Sequence, residues 1–354
     1  MKLRGCAESR NFYKPALNNA NSMVELYVSW VNGLSKSKEA LSILKQCPFV
    51  SGVEMFNTGD DIELFKAAGL KVSIHNPIKP FYRDLCNKSL LPFLKERKNS
   101  YLLKAIMSSD AKVIGFHTYS KVLQIEAHAR EGKPLGNQSC EIKSEEETRG
   151  LMIENLLCLE QEINQSLAGN KKKKILFETY PYADFNKIKD KKNILSKEQL
   201  VFLKKAGMLN SPAFLRSVFE DERIKGNESI GFLFDTAHVF VAVNNLVNDG
   251  EIKADRDKCI KDIIEVTKGR AYQMHLSTPK NCGDNLYVDA QEKLVKGGKD
   301  SMMMLRIAKE VLKNNPLLQT ISLEIDTHLE PVNHAKELVA QAELVAKELN
   351  LEKK

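Results

Sequence analysis

Ile230-Gly231-Phe232-Leu233-Phe234-Asp235 is apolar at consecutive positions and then ends in a carboxylate. A strand buried on both faces has this pattern, whereas a half-exposed strand alternates apolar and polar residues. Seven further short runs read the same way: Val24 to Trp30, Val50 to Phe56, Gly69 to His75, Ala111 to His117, Lys174 to Glu178, Ala271 to His275 and Thr320 to Ile325. Between them lie helix-like patterns at Ser37 to Lys45, Asp60 to Ala68, Asn99 to Ser109, Glu145 to Leu167, Ser196 to Ala206, Ala213 to Asp221, Asp257 to Lys268, Asp300 to Lys313 and Pro331 to Leu349. Ser196 with Gln199 has the spacing of a capping box, and Pro331 suits the first position of a helix. Eight strand-helix units predict an α/β fold, a single (β/α)₈ TIM barrel over residues 1–354. A doubly wound sheet is the competing arrangement, but Trp30-Val31-Asn32-Gly33-Leu34-Ser35 lacks the G-x-G-x-x-G turn usual in that fold.

Length alone, 354 residues, allows two ordinary domains or one large barrel, and no linker divides the chain. With 43% hydrophobic and 28% charged residues there is enough apolar sequence for a sizeable core, which excludes disordered and fibrous classes. Ser120 to Ser144 and Tyr180 to Leu195 interrupt the rhythm after strands 4 and 5, so they are predicted as loop insertions on the barrel's C-terminal face, where such folds place their sites. The densest basic run, Lys171 to Lys174, precedes the fifth strand and is predicted as a solvated loop on the opposite face. The net charge of +7 is compatible with a polyanionic partner and equally with simple solubility. The seven cysteines are scattered without a C-x-x-C pair, the pattern of a reducing compartment. No run reaches the about 18 apolar residues of a membrane helix, and Met1-Lys2-Leu3-Arg4 leads into no apolar signal segment. A cytoplasmic protein without membrane contact is expected, and nothing in the sequence calls for an obligate protein partner.

The strand ends carry unusual chemistry. His75, His117, Glu178, Asp235, His275 and Glu324 each close an apolar run, and His238 follows Asp235 by three residues. A closed parallel barrel gathers its strand ends in one mouth. A lone histidine at a strand end is ordinarily a hydrogen-bonded rim residue, and a lone carboxylate ordinarily pairs with an arginine or a backbone N–H. Agreement over six strands is different, because buried carboxylates cost several kcal/mol each unless cations neutralise them. Mixed imidazole and carboxylate donors suit Zn²⁺, Mn²⁺ or Fe²⁺ better than Mg²⁺ or Ca²⁺. Seven donors exceed the four of one tetrahedral zinc and predict two or more ions sharing a carboxylate.

Two segments resemble a known family. Phe234-Asp235-Thr236-Ala237-His238-Val239-Phe240 is similar to the D-T-C-H-A-F stretch, and His275-Leu276-Ser277-Thr278-Pro279-Lys280 to the H-L-N-D-S-K stretch, of the endonuclease IV family of zinc-dependent apurinic/apyrimidinic endonucleases, within the xylose-isomerase-like TIM barrels. Tyr287-Val288-Asp289 stands where that family carries a D-x-H pair before a Gly-rich turn, here Lys296-Gly297-Gly298. The resemblance implies one ion on His75, His117 and Glu178, a second on Glu178, Asp235, His275 and Glu324, and a third on His238 and Asp289. It also implies that Glu178 is the catalytic residue, bridging two ions and holding the attacking hydroxide. Gln291 replaces the histidine of D-x-H, and as a poor zinc ligand it leaves the third ion weak, absent or completed by water. Asn76-Pro77-Ile78-Lys79 does not reproduce the family's groove-inserting segment, although Pro80-Phe81-Tyr82 lies near, and Ser29-Trp30-Val31-Asn32-Gly33 lacks its opening pattern.

The resemblance implies a zinc-dependent phosphodiesterase acting on DNA at abasic sites in base excision repair. Lys280, Lys293, Lys296 and Lys299 follow the seventh strand, where they would meet phosphate, or else are ordinary surface lysines. The alternative is a sugar isomerase or epimerase of the same superfamily, which would need Glu178, Asp235, His275 and Glu324 for one ion and has no need of His75, His117 and Asp289 as ligands. A multinuclear iron oxygenase acting on peptide cysteines, or a scaffold with a decayed site, are further readings. His128 and His334 read as surface residues, and His328 as a residue of the pocket rim.

Overall fold

Consecutive apolar residues produce consecutive buried positions. All six residues of β2 (Val50–Met55), β6 (Ile230–Asp235) and β7 (Ala271–Leu276) are buried, as are all five of β4 (Val113–His117). With β1 (Glu25–Trp30), β3 (Lys71–Ile74), β5 (Lys174–Glu178) and β10 (Thr320–Leu323) they form one eight-stranded parallel sheet in the order β3-β2-β1-β10-β7-β6-β5-β4. A parallel bridge between His75 and Gly115 joins the outer strands β3 and β4, so the sheet closes on itself. The computed structural model describes residues 24–30, 37–55, 61–75, 85–86, 92, 106, 109, 112–118, 143–165, 167, 172–179, 201, 204–205, 207–283, 287–325 and 329–353.

Eight helices are assigned among the described residues: α1 (Lys38–Gln46), α2 (Asp61–Ala67), α3 (Glu145–Asn164), α4 (Pro212–Phe219), α5 (Thr236–Asn248), α6 (Arg256–Val266), α7 (Lys299–Asn314) and α8 (Pro331–Leu349). Local chemistry sets their starts. Ser144 accepts from the Glu147 amide while the Glu147 carboxylate accepts from the Ser144 amide, a capping box that opens α3. Pro331 occupies the first turn of α8 as its sequence predicts. The Ser196 capping box, most of the helices predicted at 99–109 and 196–206, both insertions apart from residues 143–144, and the segment Asn76 to Tyr82 lie outside the described residues.

Three elements depart from the periodicity reading. α5 has no polar face to betray it, because Thr236 through Leu246 are all buried. β8 (Thr278–Asn281) and β9 (Tyr287–Glu292) form an antiparallel hairpin after β7, where the sequence reads as loop. The basic run predicted as a solvated loop differs in part: Lys174 is the first residue of β5 and donates to the Glu228 carbonyl at 2.7 Å with its ammonium 4.1 Å above the Tyr272 ring, and Lys173 is buried and donates to the Ser109 carbonyl at 2.8 Å. Lys173 is thus absorbed by the barrel's end instead of being solvated, while Lys172 stays exposed and Lys174 is half-buried.

Most apolar side chains pack between sheet and helices, and Val113, Leu176, Leu233 and Tyr272 form a separate cluster inside the barrel. No helix among the described residues is long and apolar enough to cross a membrane.

Candidate metal centre

The barrel register lines up the strand ends: His117 pairs with Glu178, Asp235 with His275, and Ser322 with His275. Backbone contacts fix each carrier. The His75 amide donates to the Met55 carbonyl at 2.8 Å, the Thr118 amide to the Glu178 carbonyl at 3.0 Å, and the Glu324 amide to the Leu276 carbonyl at 3.2 Å. Asp235 ends β6 and caps α5, with Oδ1 accepting from the His238 amide at 2.6 Å, so one carboxylate both starts the helix and places His238 on its first turn.

His75, His117, Glu178, Asp235, His238, His275 and Glu324 are all buried, and their donor atoms converge. Nε2 of His75 lies 2.7 Å from Nε2 of His117 and 3.0 Å from Oε2 of Glu178, and Nε2 of His117 lies 3.2 Å from that same oxygen. Tetrahedral ligands about 2.0–2.1 Å from zinc stand roughly 3.3 Å apart, so this triangle fits one cation. The other oxygen of Glu178, Oε1, is 2.8 Å from Nδ1 of His238 and 3.8 Å from Nδ1 of His275. Nδ1 of His275 lies 3.1 Å from Oε2 of Glu324 and 3.7 Å from Oδ2 of Asp235, so Glu178, Asp235, His275 and Glu324 make a second set of donors. Both Glu178 oxygens, Asp235 Oδ2, Glu324 Oε2 and His275 Nδ1 are buried without an aligned hydrogen bond. Buried polar atoms left in that condition are what a cation would satisfy.

His238 turns Nε2 to Asp289 Oδ2 on β9 at 3.2 Å. That pair could share a third ion, and Asp289 Oδ1 is buried without a hydrogen-bond partner. Gln291 stands on the same hairpin with a left-handed φ of 46°. Lys280, Lys296 and Lys299 are exposed around the hairpin and the start of α7, and Lys293 pairs with Glu337 at 3.3 Å. His334 is buried on α8, against the surface position its sequence suggests; its spacing falls on the helix face that also buries Ala335 and Leu338. His128 and His328 lie outside the described residues.

Without a cation the cluster holds its own protons. Burial and the neighbouring Glu178 and Glu324 push the Asp235 carboxyl well above the usual range. Burial would lower the His275 and His238 imidazoles, but Glu54 and Glu324 around the first, and Asp235, Asp289 and Glu178 around the second, raise both well above the ordinary value. Burial would raise Glu178, yet His75, His238 and His117 hold it well below the carboxylate range. Burial pushes the His117 imidazole down to about 4 against the pull of Glu178, while Glu324, raised by burial, is brought down to about 2 by His275. Ligating imidazoles must be neutral and ligating carboxylates ionised, so cation uptake here would expel protons.

Sequence reading misses Glu54. It stands one residue before the end of β2, fully buried, with Oε2 2.8 Å from Nε2 of His275 as an ion pair off the axis of an aligned hydrogen bond. Its Oε1 accepts from Gln273 Nε2 and from Ser73 Oγ at 3.5 Å. Burial would raise its pKa, but the nearby His275 and His75 lower it. The available signal was a carboxylate inside an otherwise apolar run, Val53-Glu54-Met55-Phe56.

No protein-family model matches the sequence, and no curated protein matches it. Solved structures do share its shape. A xylose isomerase domain-containing protein from Salmonella typhimurium superposes with a TM-score of 0.53 at 12% identity, over 93% of this chain and 98% of its own. A 3-keto-D-glucoside 4-epimerase from E. coli gives 0.52 at 12% identity over 91% and 99%, and a D-psicose 3-epimerase gives 0.51 at 11% identity over 92% and 97%. At such identities shape is what is shared. The chain has the TIM-barrel fold that these structures share.

Proposed function

We propose that this chain is a metal-dependent phosphodiesterase of the endonuclease IV type, with zinc as the first candidate ion and Mn²⁺ or Fe²⁺ as alternatives. The observation that carries the reading is the orientation of Glu178: Oε2 faces His75 and His117, while Oε1 faces the group containing His275 and Asp235. Such a carboxylate is placed to serve two cations at once. Cations held there by these residues would supply Lewis-acid polarisation of a phosphoryl oxygen and would lower the pKa of bound water. The residues of this chain hold the donors in place, bury them from bulk water and keep Asp235 Oδ2 free of the helix cap that occupies Oδ1. An abasic DNA substrate is supported by the resemblance of the Phe234 to Phe240 and His275 to Lys280 segments, with Lys280, Lys296 and Lys299 as candidate phosphate contacts. Lys293 is the weaker candidate because Glu337 already engages it.

A second reading, a sugar epimerase with one ion on Glu178, Asp235, His275 and Glu324, is favoured by the comparisons, since two of the shape-sharing structures named above are sugar epimerases. It leaves the His75 and His117 pair on the far oxygen of Glu178 without a task. Metal content of protein purified without chelator separates the two readings: two or three zinc per chain is expected, and one Mn²⁺ would favour the epimerase. Nicking of an abasic-site duplex that EDTA abolishes is the expected activity. Intact duplex under zinc-replete conditions, together with C3 epimerisation of D-fructose, would overturn it. Glu178→Gln is expected to abolish turnover while leaving the circular dichroism spectrum unchanged, and retained turnover would remove Glu178 from the bridging role.

A further inference from the structure

His275 faces carboxylates through both ring nitrogens. Nδ1 looks toward Glu324, Asp235 and Glu178, and Nε2 toward Glu54 on the opposite side of the barrel. His75 and His117, by contrast, present Nε2 to Glu178. Strands β1 and β10 separate β2 from β7 in the sheet, so Glu54 and His275 meet across the interior. That interior is ordinarily filled by branched apolar side chains. Here Glu54 shares it with Ser73, Gln273 and Ser322, and Gln273 Nε2 spans from Glu54 to Ser322 Oγ at 3.3 Å.

We propose that Glu54 is a positioning residue for the metal centre: its carboxylate fixes His275 as the tautomer with the proton on Nε2, so that Nδ1 is delivered to the cation that Glu178, Asp235 and Glu324 would share. The proposal rests on the metal-centre reading above. Its physical basis is twofold. A carboxylate behind a ligating imidazole sets the tautomer, orients the ring and raises its basicity. A buried anion also costs several kcal/mol against an apolar residue of the same size, so its presence in the barrel needs an offsetting role. Gln273 and Ser73 hold the carboxylate within reach of the ring, which is what an orienting group requires. Glu54, His75 and His275 also have donor atoms close enough to share an ion; in this proposal Glu54 holds none and acts through His275.

The test is a zinc titration of metal-free protein against a chromophoric chelator, for the unmodified chain and for Glu54→Gln. In the unmodified chain two or three zinc are expected. In Glu54→Gln one site should weaken about 10–100-fold with the others unchanged. No weakened site, or equal weakening of all, would overturn the positioning role. Because the variant could fail to fold, long-range ¹H–¹⁵N spectra of the zinc-loaded unmodified chain give a second readout. His275, assigned by correlation to its backbone, should show Nδ1 ligated and a proton on Nε2. A ring ligated through Nε2 overturns the proposal even if the zinc titration succeeds. Failure of the unmodified chain to take up any metal would instead sink the metal-centre reading itself.

Discussion

Gly115 is required by the close approach of two side chains. A Cβ at that position would come within 2.5 Å of Leu233 Cδ1 and 2.7 Å of His75 Nδ1, so Gly115→Ala must displace both the Leu233 side chain and the His75 ring. It is expected to destabilise the fold by about 1–3 kcal/mol in urea unfolding, and to reduce the gain in melting temperature that zinc gives. An unreduced zinc shift would show that His75 is not held by that contact. His117 makes a second prediction at this scale. Its imidazole is pushed from 6.5 to about 4, so the folded chain binds fewer protons there than the unfolded one. Stability from this group is intact above about 6.5, falls with pH below that, and levels off near pH 4 after a loss of about 3 kcal/mol. In EDTA, the urea stability of the unmodified chain relative to His117→Gln should therefore fall by about 2 kcal/mol between pH 7 and pH 5. A constant difference would contradict the lowered value.

Elements decide which of these residues sequence reading can find. The strands were legible because burial on both faces leaves a run of apolar residues, and their bounds agree within a residue or two, as with Lys174–Glu178 and Ile230–Asp235. α5 was not legible, since a helix buried along Thr236 to Leu246 has no amphipathic period to detect. Asp235 links strand, helix and site, and this gives a prediction with two separable parts. Asp235→Asn keeps an oxygen that can accept from the His238 amide, whereas Asp235→Ala removes it. The alanine variant is expected to lose about 0.5–2 kcal/mol more stability than the asparagine variant in metal-free protein, and both should bind zinc more weakly than the unmodified chain. Equal metal-free stabilities, measured by urea unfolding, would remove the capping role.

At the scale of the molecule, closure of the sheet between His75 and Gly115 brings side chains from five strands, and from the positions just past the ends of β3 and β10, into one buried cluster. Binding confined to the folded chain must raise stability, by about 2.7 kcal/mol per site at a free concentration 100 times Kd. Zinc is expected to raise the melting temperature and EDTA to reverse the rise; no shift would count against a metal centre. The sequence by itself determined the barrel and the donors at strand ends, because burial imposes apolar runs and a polar residue closing such a run stands out. Only the tertiary structure decided that Glu178 turns its two oxygens to two groups, that His275 presents Nδ1, and that Glu54 lies behind it. Those relations join residues far apart in the chain, and no local periodicity encodes which ring nitrogen or which carboxylate oxygen faces a neighbour across the barrel.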